Sequence, residues 1–247
     1  MSDPLKLFIF GPARSGTSIT QNAARTVLQL PGRGEGHVFT IYQRMVHQYF
    51  VYAKQFTEKK GALARELNPR EFKQQSIDTI RALYSRVYRS DSFVDKTPGA
   101  EAMLSTPLVR ETFPDAKFVV IKRTGIEVVQ SFQIKFSASF EDSCKFWVAC
   151  MNATLRMREL APEALVVDQF ELTNSPRDVA GRLAEHIGRP EKAGELAAFF
   201  SERRTEQSST HDWTARLTLA NTEWTAEQKD HFRKTCGQSM EQFDYPM

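Results

Sequence analysis

The sequence predicts an α/β protein with a mostly parallel central sheet and helices on both faces of that sheet. Short, almost wholly apolar runs recur along the chain, as in parallel strands that are buried on both faces. Longer segments with apolar residues at helical spacing separate these runs, and this alternation is typical of parallel α/β sheets. The chain of 247 residues can form one such domain, residues 1–247, with a sizeable core.

Four segments are predicted as strands. "LKLFIF" ends at the breaker pair Gly11-Pro12, and "AKFVVIKR" is the clearest strand because an unbroken apolar run follows the turn "FPDA". "SFVDK" and "ALVVD" are shorter runs of the same kind. The predicted strands span residues 5–10, 92–96, 116–123 and 164–168.

Helices are predicted between and after these strands. Asn68 and Pro69 form a helix start, Gly188 is a stop signal, and Thr225 with Gln228 has the spacing of a capping box. The predicted helices span residues 17–30, 40–56, 69–89, 125–136, 141–160 and 174–188, and a final helix starts at Thr225. The region of about 40–90 has the weaker pattern, and we expect it to be a helical insert over the ligand-binding edge of the sheet.

Composition narrows the classes of partner. A net charge of only +3 gives no bulk signature for binding nucleic acid, although a local anion site stays possible. No apolar stretch approaches the ~20 residues that span a bilayer, so we expect no membrane partner. Cys144, Cys150 and Cys236 lack metal-ligand spacing and are too few for a disulfide scaffold. They favour a reducing, cytoplasmic location, with Cys144 and Cys150 as buried thiols.

The stretch "GPARSGTS", Gly11 to Ser18, joins the first strand to the first helix. Such a junction can bind an anion because the helix N-terminus presents backbone N–H groups and partial positive charge. Glycines let the backbone approach the anion closely, the hydroxyls of Thr17 and Ser18 add donors, and Arg14 adds a charged fork. A Walker A loop would place lysine where Thr17 stands, so the group that reaches the β- and γ-phosphates of a nucleoside triphosphate is missing.

Four segments resemble sulfotransferases that use 3′-phosphoadenosine 5′-phosphosulfate (PAPS). "FIFGPARSGTS" is similar to the loop that binds the 5′-phosphosulfate in that family. "FPDAKFVVIKRTGIEVVQSF" resembles the 3′-phosphate segment, where an arginine ends a strand and a serine follows eight residues later; Arg123 and Ser131 hold these positions. "FVDKTPGAEAML" and "GRGEGHVF" resemble a lysine-bearing strand end and a Gly-Glu turn of the bacterial and tyrosylprotein branch. Order and spacing agree over residues 5–135.

The resemblance implies a P-loop-like sulfotransferase fold and transfer of a sulfuryl group from PAPS to a hydroxyl or amine acceptor, with 3′-phosphoadenosine 5′-phosphate (PAP) as product and no metal. Glu35 is implied as the general base, and His37 is its rival because the pKa of a free imidazole is close to neutral. Lys96 and Arg14 would stabilise charge at the transferring group, and Asp95 is a candidate to orient Lys96. The residues implied to bind the nucleotide are Gly11, Arg14, Ser15, Gly16, Thr17, Ser18, Arg123 and Ser131.

Several questions stay open at this point. The chain could also be a kinase-like nucleotide phosphotransferase with an altered phosphate loop, or a non-catalytic nucleotide-binding protein on the same fold. The Lys/Arg-Gly loop that grips the 3′-phosphate in cytosolic sulfotransferases is not recognisable, and Arg203, Arg204 and Arg216 are candidates to replace it by charge alone. The acceptor could be a small molecule or a peptide. Aromatic residues are candidates to line its cleft: Tyr42, Tyr49, Phe50, Tyr52 and Phe56.

Overall fold

The computed structural model describes residues 3–55, 68–202 and 215–247. Within these ranges four strands form one sheet in the order β2-β1-β3-β4, with every neighbouring pair parallel. The strands are β1 (Lys6–Phe10), β2 (Phe93–Lys96), β3 (Lys117–Lys122) and β4 (Leu165–Asp168). The predicted parallel α/β sheet is confirmed, and each strand ends within one residue of its predicted bounds.

The helices in the described ranges are α1 (Thr17–Val27), α2 (Val38–Gln55), α3 (Pro69–Tyr88), α4 (Ala100–Leu104), α5 (Thr106–Thr112), α6 (Gly125–Phe136), α7 (Phe140–Leu160), α8 (Gln169–Asn174), α9 (Pro176–His186), α10 (Ala193–Glu202) and α11 (Ala226–Gln242). Single 3₁₀ turns lie at Pro190–Lys192 and Leu219–Asn221. The predicted caps are confirmed: the Asn68 side chain accepts a hydrogen bond from the Arg70 amide, and Thr225 and Gln228 form a reciprocal capping box.

Helices α4, α5, α8 and α10 were not expected from the sequence. The first three have only five to seven residues, too few for an apolar period to emerge. The ten residues of α10 are mostly apolar. Leu196, Phe199 and Phe200 are buried in the core that α10 shares with β1, α1 and α9. Tertiary packing rather than local pattern therefore stabilises these helices, as is usual for short helices in proteins.

The two faces of the sheet pack against different helices. Leu7 and Ile9 of β1 face a core formed with α1, α9 and α10, whereas Phe8 and Phe10 face α3, α5 and α7. This alternation follows from the two-residue period of a strand. The expected helices on both faces are confirmed. In the 40–90 region, α2 and α3 lie together over the aromatic face, where the rings of Tyr49 and Phe72 stack with centroids 4.3 Å apart.

The strand order fixes where a ligand can bind. All four carboxyl ends meet at one edge because the strands are parallel. β2 and β3 lie on opposite sides of β1 in the sheet. The order of the strands therefore reverses direction at β1, and a crevice forms at its carboxyl end. Open α/β sheets bind ligands in the crevice at such a switch point.

A buried carboxylate joins the C-terminal part of the chain to this edge. The Asp168 side chain, 2% exposed, accepts hydrogen bonds from Lys122 Nζ at 2.7 Å, Tyr245 OH at 2.9 Å and Arg216 Nη1 at 3.2 Å. It also caps α8 by accepting from the Phe170 amide. Burial favours the neutral acid, but Lys122, the Phe170 amide and Arg216 outweigh it and hold the pKa of Asp168 below its ordinary value.

Two sequence expectations concern the chain as a whole. Cys144 and Cys150 are free, buried thiols, as predicted, and Cys236 is also free and buried. Among the helices that the structure describes, none combines the length and the apolar character needed to cross a membrane.

We expect Asp168→Asn to lower the free energy of unfolding by about 3–5 kcal/mol at pH 7, because it leaves Lys122 and Arg216 without a carboxylate in a buried site. The folded-state pKa of Asp168 is depressed, so its stabilisation is present at neutral pH and disappears as the pH falls through that folded pKa. The difference in the free energy of unfolding between wild type and variant should therefore become smaller below a pH of about 4. Urea unfolding across pH measures this.

Asp178→Asn is the matched control. Its carboxylate also pairs with an arginine, Arg182, but its side chain is 65% exposed. Exposed pairs contribute less than about 1 kcal/mol, so this variant should unfold nearly as wild type does. Equal losses in the two variants would contradict the role given to the buried Asp168.

Candidate active site

The loop after β1 is seated against β3 by a close backbone approach. Gly11 has φ 143°, and a Cβ atom at this position would lie 2.1 Å from the backbone oxygen of Ile121. Only glycine fits there, because any side chain would push the loop away from β3. On the other side, the Gly11 carbonyl accepts a hydrogen bond from the Gly99 amide at 2.9 Å. The loop is thus held at the switch point, between the ends of β2 and β3.

The start of α1 suits an anion. Gly16 is the N-cap residue, with φ 96°, and makes no side-chain cap; the first turn contains no acidic residue. Within the described part of the chain, the N-cap residue thus leaves the first-turn amides without a side-chain cap, and the helix end favours negative charge. Thr17 is buried and Ser18 is exposed at this end. The loop residues fit a phosphate-like group.

Ser15 has a different part in the loop. Its hydroxyl is fully buried and lies 2.7 Å from the Pro12 carbonyl oxygen and 3.0 Å from that of Ile121. The hydroxyl hydrogen is therefore used within the protein. Nucleotide binding by Ser15 stays a prediction, and in the structure its side chain holds the loop on β3.

An ion pair lies beside the loop. Lys96, at the end of β2, places Nζ 2.9 Å from Glu35 Oε1 and 3.4 Å from Ser18 Oγ. The lysine side chain is 7% exposed and that of Glu35 is 43% exposed. The other Glu35 oxygen lies 3.0 Å from His37 Nε2. Partial burial would raise the pKa of Glu35, but its hydrogen bonds to Lys96 and His37 prevail and lower that pKa.

Hydrogen bonds from two neighbouring elements hold the turn that carries Glu35. From α1, Gln21 Nε2 donates to the Arg33 carbonyl at 2.6 Å and lies 3.2 Å from that of Gly34. From the end of β2, Thr97 Oγ1 accepts from the His37 amide at 3.1 Å. His37 has φ 52°, in the left-handed region, which brings the chain round into α2. The Glu35 carboxylate is therefore supported from two neighbouring elements.

Asp95 supports this turn and does not contact the Lys96 ammonium, so the candidate role of orienting Lys96 is corrected. Neighbouring residues of a strand point to opposite faces. The Asp95 carboxylate accepts from Tyr84 OH at 2.6 Å and from Thr97 Oγ1 at 3.1 Å. Burial raises the pKa of Asp95, while the bonds from Tyr84 and Thr97 oppose that rise. A Cβ atom on Gly36 would lie 2.3 Å from Asp95 Oδ2, so the turn packs directly on this carboxylate.

A second cationic group lies on the β3 side of the loop. Arg14, with φ 72°, donates from Nε to Ser131 Oγ at 2.9 Å, and Arg123 donates from Nη1 to the Arg14 carbonyl at 2.9 Å. Arg123 Nε also donates to Glu127 Oε2 at 3.2 Å. Arg123 and Ser131 thus both contact Arg14, Arg123 at its backbone carbonyl and Ser131 at its guanidinium. The sequence predicts that the Arg14 guanidinium stabilises charge together with Lys96. In the structure this guanidinium donates to Ser131.

The candidates from the C-terminal third have different outcomes. Arg203 and Arg204 lie outside the described residues. Arg216 pairs with Asp168, and its guanidinium carbon lies 4.6 Å from the ring centroid of Phe170 and 5.1 Å from that of Tyr245. Arg216 therefore shares one buried carboxylate with Lys122.

The aromatic residues proposed for the acceptor cleft do not share one environment. Tyr42 packs partly buried against the aromatic core, and Tyr49 stacks on Phe72. Phe50 and Tyr52 are 45% and 54% exposed on α2. Phe56 lies outside the described residues.

Sequence reasoning missed Gln21, Thr97 and Glu127. Nothing in the pattern of α1 distinguishes Gln21 from a solvent-facing glutamine, because its partners are carbonyls of a distant turn. The contact of Glu127 with Arg123 was also hidden, because Arg123 lies before the start of α6 and the helical spacing of opposite charges does not extend to it. Within residues 3–55, 68–202 and 215–247, no group of three or more His, Cys, Asp or Glu residues is arranged to hold a metal ion.

Comparison with known proteins decides the family. The profile described as "Sulfotransferase family" matches residues 4–193, more than half of the chain. The chain belongs to the sulfotransferase family. A search of curated proteins found no match to this sulfotransferase.

Solved sulfotransferase structures have the same fold at low sequence identity. The sulfotransferase domain from the curacin biosynthetic pathway aligns over 100% of both chains, with a TM-score of 0.57 and 14% identity. Sulfotransferase STF9 from Mycobacterium avium aligns over 100% of this chain and 79% of its own, with a TM-score of 0.52 and 13% identity. A sulfotransferase from Alicyclobacillus acidocaldarius aligns over 100% and 98%, with a TM-score of 0.50 and 14% identity. At these identities the likeness concerns the fold alone.

We expect Gly36→Ala to displace the Glu35 turn, because its methyl group would overlap the Asp95 carboxylate. The overlap should lower the free energy of unfolding by about 1–3 kcal/mol, measured by urea unfolding. Gly34→Ala is the control in the same turn, since a Cβ atom there meets nothing within 4 Å. It should change stability by less than about 1 kcal/mol. Similar effects of both substitutions would mean that the turn does not rest on Asp95.

Proposed function

We propose that this sulfotransferase moves a sulfuryl group from PAPS to a hydroxyl or amine acceptor by in-line transfer without a metal, and releases PAP. The supporting observation is the presence of two cationic groups on opposite sides of one anion-binding loop. Lys96 lies beside Ser18 on the β2 side, and Arg14 and Arg123 lie with Ser131 on the β3 side. A nucleotide with anionic groups at both its 5′ and 3′ positions has one anion for each cationic group.

The donor would be held by both groups. The amides at the start of α1 and the Ser18 hydroxyl would bind the 5′-phosphosulfate, and Arg123 with Ser131 would bind the 3′-phosphate. PAPS supplies the activated sulfuryl group on its 5′-phosphate. Lys96 supplies from β2 the positive charge that a Walker lysine supplies from the loop in nucleotide hydrolases.

Lys96 and Glu35 have complementary tasks. Glu35 accepts the proton of the acceptor hydroxyl or amine, and Lys96 neutralises the negative charge that develops on the leaving oxygen. At present the two side chains pair with each other at 2.9 Å, and this bond contributes to the lowered pKa of Glu35. An anion in the loop competes for the Lys96 ammonium. As Lys96 turns toward that anion, Glu35 loses the partner that weakens it as a base.

His37 is the second residue at this carboxylate. Its Nε2 atom lies 3.0 Å from Glu35 Oε2, and both side chains are about half exposed. This contact can orient the carboxylate, and it can also pass a proton from Glu35 to the imidazole. Glu35 remains the proposed base because its carboxylate contacts the Lys96 ammonium, the group proposed to act on the leaving oxygen. The imidazole of His37 contacts the other oxygen of the same carboxylate.

The acceptor of the sulfuryl group must reach the Glu35 carboxylate. We propose a small molecule or peptide that reaches Glu35 past the N-terminal end of α2, with the helical insert near the cleft. Phe50 and Tyr52 offer apolar surface further along that helix. The proposal includes no nucleic acid or membrane partner, and it places the enzyme in the cytoplasm because its cysteines are free thiols.

We expect PAP to bind more tightly than adenosine 5′-monophosphate (AMP) in EDTA, and Arg123→Ala to remove most of this difference. The substitution should cost about 1.5–3 kcal/mol for PAP, the size of hydrogen bonds to a charged group, and much less for AMP. Isothermal calorimetry with both ligands on both proteins measures the cycle.

Arg81→Ala is the matched control, because this arginine donates to the Thr112 and Glu111 carbonyls away from the loop. It should bind both ligands as wild type does. An equal penalty for PAP and AMP in Arg123→Ala would show that Arg123 does not bind the 3′-phosphate. Preference for ATP with Mg²⁺ over PAP would favour the phosphotransferase alternative.

We expect Glu35→Gln to lower turnover by about 10²–10⁴ without weakening PAP binding, because glutamine cannot take the proton and frees the Lys96 ammonium. Release of PAP from PAPS by slow hydrolysis can replace the transfer assay until an acceptor is found. In the free enzyme, partial burial would raise the pKa of Glu35, but its hydrogen bonds to Lys96 and His37 lower it, so kcat/KM, which reports the free enzyme, should persist to the acid side of the ordinary carboxylate range. A histidine base would lose activity at a higher pH than a carboxylate base, because an imidazole takes up its proton at a higher pH than a carboxylate does.

The matched variant for this test is His37→Ala. If Glu35 is the base, this variant should keep most of the turnover. The reverse result, with loss in His37→Ala and near wild-type turnover in Glu35→Gln, would overturn the assignment of the base while the nucleotide-binding proposal stands.

A further inference from the structure

We propose that Glu127 limits how tightly the enzyme holds its nucleotide product, by competing with the 3′-phosphate for Arg123, and that it thereby speeds product release. The inference rests on the proposed function. It assigns Glu127 as a positioning residue that acts through Arg123.

The observation is a nearly buried ion pair inside the proposed phosphate site. Glu127 Oε2 lies 3.2 Å from Arg123 Nε, and the two side chains are 14% and 10% exposed. At such low exposure the interaction is screened less than that of a surface pair. Arg123 also donates from Nη1 to the Arg14 carbonyl. A guanidinium has five N–H donors, so three remain for a ligand. Arg123 therefore has donors left for a ligand, but its positive charge is already balanced by the Glu127 carboxylate.

The charges around Ser131 show what Glu127 changes. Arg14 and Arg123 bring two positive charges to this side of the loop, and Glu127 cancels one of them. A phosphate monoester carries close to two negative charges at neutral pH. The carboxylate that pairs with Arg123 must lie near any phosphate that the same guanidinium binds, so the two anions repel each other. Neutralising Glu127 should therefore tighten the binding of a 3′-phosphate by roughly tenfold.

A structural explanation also exists for Glu127. It lies in the first turn of α6, where an acidic side chain interacts favourably with the helix dipole. A structural role predicts that loss of the carboxylate lowers stability, and it predicts no difference between ligands with and without a 3′-phosphate. The proposal predicts that difference. Because product release limits turnover in many enzymes, a carboxylate that weakens product binding has a direct kinetic use.

The test uses Glu127→Gln, whose amide oxygen can still accept from Arg123 Nε while the charge is removed. Calorimetry with PAP and AMP in EDTA should show about tenfold tighter binding of PAP and less than a twofold change for AMP. Stopped-flow displacement should show slower dissociation of PAP. Glu159→Gln is the matched control, because Glu159 pairs with Arg156 at an exposed position on α7. It should leave both affinities unchanged.

Two further variants keep the test decisive. Glu127→Ala is a second neutral variant if the amide disturbs folding, and it should also tighten PAP binding. Glu127→Asp keeps the charge and should retain an affinity for PAP close to that of wild type. Unchanged or weaker PAP binding in both neutral variants, or equal tightening of PAP and AMP, would overturn the inference. Failure of the wild-type enzyme to bind PAP would overturn the proposed function itself, a result distinct from either of these.

Discussion

The close approach of Gly11 to the backbone oxygen of Ile121 is the constraint on which the site depends. It holds the loop that follows β1 against β3. The Ser15 hydroxyl contacts the same Ile121 carbonyl, so two contacts fix the loop to one point of β3. With the loop fixed there, Ser18 faces Lys96 from β2, and Arg14 faces Ser131 from α6. The parallel sheet brings all four carboxyl strand ends to one edge, and the glycine contact fixes the position of the loop at that edge.

Each cation of the site is held by an acceptor of the protein itself. Lys96 pairs with Glu35, Arg123 with Glu127 and the Arg14 carbonyl, and Arg14 with Ser131. A buried charge without a partner is costly, so these contacts keep the cations in place at low exposure. Anionic ligands must therefore compete with internal acceptors, and the protein sets their affinity through the strength of those acceptors as well as through the number of its cations.

Polar residues behind the site keep its geometry. Gln21 and Thr97 hold the turn of Glu35, and the turn rests on Asp95, which is itself bonded to Tyr84 of α3. The helical insert thus contributes to the active-site edge through a buried side chain. Because Gln21, Thr97 and Asp95 fix this turn, the fold places the Glu35 carboxylate even though its side chain is 43% exposed.

The sequence by itself determined the four strands, the longer helices and the anion-binding loop, because apolar period, caps and glycines act locally. Similarity in order and spacing identified Glu35, Lys96, Arg123 and Ser131 as candidates. Only the tertiary structure decided which groups meet: that Arg14 turns to Ser131, that Asp168 pairs with both Lys122 and Arg216, and that Gln21 holds a turn. Such contacts join residues from different elements, and their energy depends on burial and distance, which no local pattern of residues contains.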